Sequence, residues 1–564
     1  MERALRRFEE AVRDRPGASR APVPVRPPPL DRIGDPLLLA RIHDAALFLR
    51  AFPRRPKDIG DAEKLLREIP VRMAALSRRG TDVSAIDDFH SVGMGGTSLT
   101  MAFSWGMARW LARRHGGAVS IAWDEVETPE RIAPALARIL PFLSERSLAD
   151  VGVDVLAWLR AALPGGTRDG GLRFLVGRIE TADGDEDARE ERWDTLGLTI
   201  RWRLRASRAS RTFARLPARL FVDGSPLLSR REVSVGREVA APAPPIRRLE
   251  PAAGARFLDA ARAAVAVRYR ELYAFTRGNP EDVVRCEAGR GLSIWCCGLL
   301  PEHRLPLRAG YGFLLVRNGV PTGYGDAYAL GDRLDLSFNV FYAFRDGESA
   351  FGYARTVAFF RRLLGVRTIA VDPYQIGREN EEAIQSGAFW FYRKLGFRSA
   401  DGSVETLVRR EEGRNAATPG RRTPPSTLRR IAGAPLLLDL PGRTKSAWKQ
   451  VSLDAVGLRI QRRMAASGLS PDAFRRACER RVARAIGLAE SLSPRAALAL
   501  RGLAPVLDLV PRLSRLPARD RAALHALVRA KAARSEAGFV RALARVRILA
   551  ETVRGGTERS PGRR

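Results

Sequence analysis

Two glycine-bearing turns stand directly ahead of helical patterns, and both are of a kind that can cradle a phosphate. One is Val92-Gly93-Met94-Gly95-Gly96-Thr97-Ser98; the other is Arg345-Asp346-Gly347-Glu348-Ser349-Ala350. A helix leaves its first backbone N–H groups without an intrahelical partner, at the positive end of its dipole, so they attract an anion. The first turn wants a clear strand before it, and Thr81 to His90 makes a poor one. With Asp124 and Glu125 in the place of a ribose-binding carboxylate it would imitate a nucleotide site, but a tight turn is the plainer reading. Metal and thiol chemistry are poorly supplied. The four cysteines (Cys286, Cys296, Cys297, Cys478) and the five histidines are scattered, with no CxxC or HExxH, so neither a metal nor a disulfide scaffold is expected. Adjacent Cys296 and Cys297 point to opposite faces of a strand and read as buried apolar residues.

The second turn has a consistent set of elements around it. GLSIWCCGLL (291–300), YGFLLVR (311–317) and VPTGYGDAYAL (320–330) read as strands, the last two joined by Asn318-Gly319, a strong hairpin signal. Arg333 to Phe344 alternates like a further strand. After the turn, Ala350 to Leu364 has helical spacing and ends on Gly365. A short apolar strand over 366–374 follows, then one helix over 383–396 and a strand beginning at Phe397.

Before this region the chain reads as mixed α/β: helices over 37–49, 62–77 and 99–114, a strand over 118–123, a helix starting at Pro129, and a strand over 196–207. Proline-rich stretches near 22–30 and 241–251 mark boundaries. The reading is therefore a leader (1–30), an N-terminal mixed α/β region of unknown role (31–245), a middle domain (246–412), a linker (413–430) and a basic helical region (431–564).

With 45% hydrophobic residues the 564-residue chain can bury cores, and its charge of +33 excludes an acidic protein. Nearly all of that charge is arginine, since lysine stands at only six positions, as codon bias in a GC-rich genome would produce. Residues 401–564 hold 34 Arg and Lys against 14 Asp and Glu, so an anionic partner for the C-terminal helices is one expectation and solvated helical faces are the other. The N-terminus lacks the apolar core of a secretory signal, and no run of about 18 apolar residues occurs, so a cytoplasmic location without a membrane span is expected.

Three segments resemble the GNAT superfamily of acyl-CoA-dependent N-acetyltransferases: NVFYAFRDGESAFGYARTV (339–357), RTIAVDPY (367–374) and AIQSGAFWFYRKLGF (383–397). The resemblance spans about residues 290–400. It implies a GNAT-like mixed sheet in which two parallel strands, near 336–343 and 367–373, part to admit the pantetheine of acetyl-CoA or another acyl-CoA. By the same resemblance Val340 and Phe341 lie along that arm, and Arg345, Asp346, Gly347, Glu348, Ser349 and Ala350 form the pyrophosphate turn. Glu348 stands where the family has glycine, and an acidic side chain there repels a pyrophosphate unless it points away. A second register, 349–354, keeps the glycine and loses the arginine. Gln385 takes the place of the family's asparagine. Tyr392 matches its tyrosine general acid, whose pKa near 10 suits a leaving thiolate. Asp335 and Asp372 are candidates to take the proton of the attacking amine. The implied function is transfer of an acyl group, most simply acetyl, to a small-molecule or protein amine without a covalent enzyme intermediate. The alternative is a non-catalytic scaffold whose acyltransferase-like domain has lost coenzyme A use through Glu348.

Overall fold

A computed structural model describes residues 1–15, 23–83, 86, 91–126, 132–149, 152–163, 169–204, 207–242, 244–442, 446–488 and 491–554. Two compact units divide the chain: 1–226 with 257–276 and 317–321, and 227–256 with 277–316 and 322–564. Both are mixed α/β. No described helix is long and apolar enough to cross a membrane.

In the first unit, strands β1 (Ser98–Met101), β2 (Val119–Ile121) and β3 (Ile200–Arg203) form an antiparallel sheet in the order β1-β3-β2. Helices pack on it through a core rich in tryptophan, with Trp105, Trp193 and Trp202 fully buried. Residues 99–114, expected as one helix, divide into β1 and the helix Trp105–His115, because Leu99 to Met101 pair with β3. The helices expected over 37–49 and 62–77 run Pro36–Ala51 and Pro56–Arg78. Pro129, the expected start of a helix, lies outside the described residues. The leader opens with an amphipathic helix, Glu2–Arg13, that buries Leu5, Phe8, Ala11 and Val12.

The Gly93–Gly96 loop is a tight turn. A Cβ at Gly93 would meet the Val267 carbonyl oxygen at 2.0 Å, and one at Gly96 the Pro70 carbonyl at 2.7 Å. Gly95 N–H donates to Thr212 Oγ1 and Gly96 N–H to the Leu204 carbonyl, so these donors are spent within the fold. His43 lies buried beside them, its Nδ1 and Nε2 bonded to Asp44 (3.0 Å) and Thr212 (2.9 Å).

The second unit is built on a ten-stranded mixed sheet. Its strands are β4 (Ile246–Arg248), β5 (Gly278–Gly289), β6 (Leu292–Leu299), β7 (Ala309–Arg317), β8 (Val320–Leu330), β9 (Arg333–Leu336), β10 (Asn339–Val340), β11 (Thr368–Val371), β12 (Arg398–Ser399) and β13 (Leu436–Asp439). The order is β12-β13-β11-β9-β8-β7-β6-β5-β4, with β10 paired to β8. β6 and β7 are buried at every residue, and the β7–β8 turn takes positive φ at Asn318 (49°) and Gly319 (86°), as an Asn-Gly hairpin requires. Helix Ser349–Leu364 packs its apolar face on the sheet and stops at Gly365, whose φ of 77° only glycine adopts cheaply.

The single helix expected over 383–396 is two, Glu381–Ser386 and Ala388–Lys394, because Gly387 turns into the left-handed region at φ 66°. Residues 413–430, expected as a linker, carry the end of helix Gly402–Ala417 and most of helix Pro425–Ile431. Beyond them β13 enters the sheet between β11 and β12, antiparallel to both, and helices over 453–554 follow.

Candidate functional site

The site begins where a parallel ladder ends. β9 pairs with β11 in parallel from Arg333–Thr368 to Asp335–Ala370 and no further. The chain beyond β9 stays on β8: Ser337 N–H donates to the Asp326 carbonyl (2.9 Å), Asn339 and Val340 face Tyr324 and Gly323, and Phe341 N–H donates to the Thr322 carbonyl (3.0 Å). β11 ends at Val371, and Asp372 turns into the short helix Pro373–Ile376. Among the described residues, the β11-facing edge of Asn339–Val340 has no strand partner. Such an edge offers N–H and C=O groups in extended register to a linear amide chain.

The expected turn follows this edge directly. Residues 342–344 make one 3₁₀ turn, Gly347 N–H closes on the Phe344 carbonyl (2.9 Å), and the helix starts at Ser349. Glu348 is the N-cap residue but makes no side-chain cap. Its buried carboxylate instead accepts from Leu228 N–H (3.0 Å) and from Arg290 Nε and Nη2 (2.9 and 2.7 Å). The acid of this turn is thus paired with a guanidinium and makes no bond to the first-turn N–H groups.

Arg345 is exposed. Its guanidinium lies 3.7 Å over the Tyr342 ring and donates to Glu382 Oε1 at 2.5 Å, and Tyr342 donates to the same oxygen at 2.6 Å. Glu382, on helix Glu381–Ser386, therefore orients the arginine of the turn. Asp346 is exposed, Ser349 half-buried, and Ala350 faces the core. Val340 is half-buried, and Phe341 is buried and stacks on Tyr324 at 5.3 Å. Gln385 is exposed on the helix that carries Glu382.

The expected acid and bases have mixed surroundings. Tyr392 is buried among Tyr353, Phe391 and Phe397, with ring centroids 5.3–5.7 Å away, and burial pushes its hydroxyl well above the usual tyrosine range. Asp335 lies on β9 but is taken by Arg333, at 2.7 and 2.8 Å. Asp372 caps its helix by accepting from Tyr374 N–H (2.8 Å). The Cys296 thiol is buried and its pKa raised by desolvation, as for a packing residue.

Asp326 is a further acid that the sequence patterns do not single out. It lies on β8 opposite Ser337, with which it exchanges hydrogen bonds: its N–H donates to Ser337 Oγ (3.1 Å), and the hydroxyl donates to its carboxylate. Burial holds its carboxyl above the usual carboxylate range, against the opposing pull of the Ser337 bond and the nearby Arg308. The strand register puts Tyr324, Asp326 and Tyr328 on one face with Asn339, Ser337 and Asp335 opposite, all half-buried. The available signal is the alternation Tyr-Gly-Asp-Ala-Tyr, in which an acid interrupts a strand otherwise destined for burial.

Comparison with protein-family models, with curated proteins and with solved structures finds no match to this chain.

Proposed function

We propose that the second unit is an acyl-CoA-dependent N-acyltransferase, transferring most simply an acetyl group to an amine. The observation that carries this reading is the end of the β9–β11 ladder at Asp335–Ala370, followed beyond β10 by the turn at 345–348 that opens helix Ser349–Leu364. In this reading the pantetheine arm lies along the Asn339–Phe341 edge. The pyrophosphate sits at the N–H groups of Ala350 and Phe351, with Arg345 beside it. Glu348 does not oppose it, because Arg290 holds that carboxylate.

The amine nitrogen attacks the thioester carbonyl, a C–N bond forms, and the C–S bond breaks to release thiolate. Asp326 takes the proton from the amine. Its raised pKa and its serine partner suit a base better than the surroundings of Asp335, bound to Arg333, or of Asp372, bound to its own helix. The thiolate takes its proton from solvent, because burial in the aromatic core raises the Tyr392 hydroxyl above the range that suits a leaving thiol.

Isothermal calorimetry of the full chain with acetyl-CoA tests the reading. Micromolar binding that is lost in Arg345→Glu is expected. No binding at millimolar acetyl-CoA by folded protein would overturn it.

A further inference from the structure

Helix Pro471–Ile486 carries two stripes. Phe474, Cys478, Val482 and Ile486 are all buried, at the i, i+4, i+8 and i+12 spacing of one face. Arg476, Arg480 and Arg484 repeat at the same interval on the opposite side, and all three are exposed. Among the described residues, none of the three has a carboxylate partner, whereas Arg475 pairs with Asp472 and Arg481 with Asp508. At about 1.5 Å rise per residue, successive guanidinium stems stand about 6 Å apart along a rigid element.

We propose that this stripe binds the phosphate backbone of a double-stranded nucleic acid without reading its sequence. Arginine forks suit phosphate oxygens, and rigid spacing presents three of them to successive charges. A membrane surface fits less well. A helix that lies in a bilayer interface inserts its apolar face, and here that face is consumed by the protein core. A single strand fits less well too. It is held by exposed aromatic platforms, and the three aromatics of residues 431–564, Trp448, Phe474 and Phe539, are all buried. The inference is independent of acyl transfer.

The test is fluorescence anisotropy of the full chain with a labelled DNA duplex of two helical turns, repeated over a salt series. The comparison is with the triple variant R476Q/R480Q/R484Q, checked for an unchanged thermal melt. Each lost phosphate contact lowers the salt slope of log K by about 0.9, so the triple variant is expected to lose about 2.7 from the slope. At that slope the three contacts account for about a 40-fold loss of affinity between about 50 and 200 mM salt. An equal slope in wild type and variant would overturn the proposal. So would the absence of duplex binding at low salt, or tighter binding to phosphatidylserine vesicles or to single-stranded DNA than to the duplex.

Discussion

At the scale of single residues, Glu348 changes meaning once its surroundings are known. Beside a phosphate turn an acid is a defect; buried against Arg290 and Leu228 N–H it is a structural anchor. Glu348→Ala removes the acceptor of the Leu228 N–H and the carboxylate that pairs with the partly buried Arg290 guanidinium. It should cost about 2–3 kcal/mol, read as a lower urea midpoint with an unchanged m-value. His43 gives a second prediction. Burial lowers its pKa to about 4, so the folded state holds it neutral while the unfolded chain binds a proton at about 6.5. Its stabilising effect is therefore complete above about pH 6.5 and is lost as the pH falls toward 4, by roughly 3 kcal/mol. Asp44, lowered in pKa although burial opposes it, adds loss in the same direction. Thermal melts from pH 7 to 4.5 should fall more steeply for wild type than for His43→Gln.

At the scale of elements, breaks matter more than the elements themselves. Gly387 separates two short helices at φ 66°, and nothing lies within 4 Å of the place a Cβ would occupy. Gly387→Ala should therefore cost only the backbone term, about 1–2 kcal/mol, without disturbing packing. A larger loss in a chemical melt would show that the break is also a packing point. The break lets Glu382 stand over Arg345 while Tyr392 goes into the aromatic core. With Tyr392 a packing residue, Tyr392→Phe leaves kcat and acetyl-CoA affinity unchanged and scarcely moves the melt. A kcat lowered by about 10²-fold would make Tyr392 the proton donor.

At the scale of the whole molecule, the sheet of the second unit is assembled from distant segments. β13 comes from residues 436–439 and is hydrogen-bonded to both β11 and β12. A fragment of residues 246–412, a natural excision from composition alone, lacks the strand between them. It should fail to unfold cooperatively, whereas the full chain should show a clear transition by circular dichroism. A cooperative melt of the fragment would mean that β12 reaches β11 without β13.

Local signals are legible in the order of the amino acids. The Asn318-Gly319 hairpin, the helix stopping at Gly365 and the strand at 368–371 follow from backbone preferences and short-range periodicity, which act between residues close in sequence. The turn at 345–350 is legible for the same reason, as the join between an alternating pattern and a helical one. Other features depend on partners far away along the chain. Leu99 to Met101 become a strand because β3 lies about a hundred residues on. Glu348 is neutralised by Arg290, 58 residues earlier. Asp326 becomes a candidate base only because strand register sets it opposite Ser337. Composition, charge and local geometry are properties of the chain itself. Which carboxylates are buried, paired or left to react is decided by long-range packing, because desolvation and ion pairing depend on neighbours that only the tertiary structure supplies.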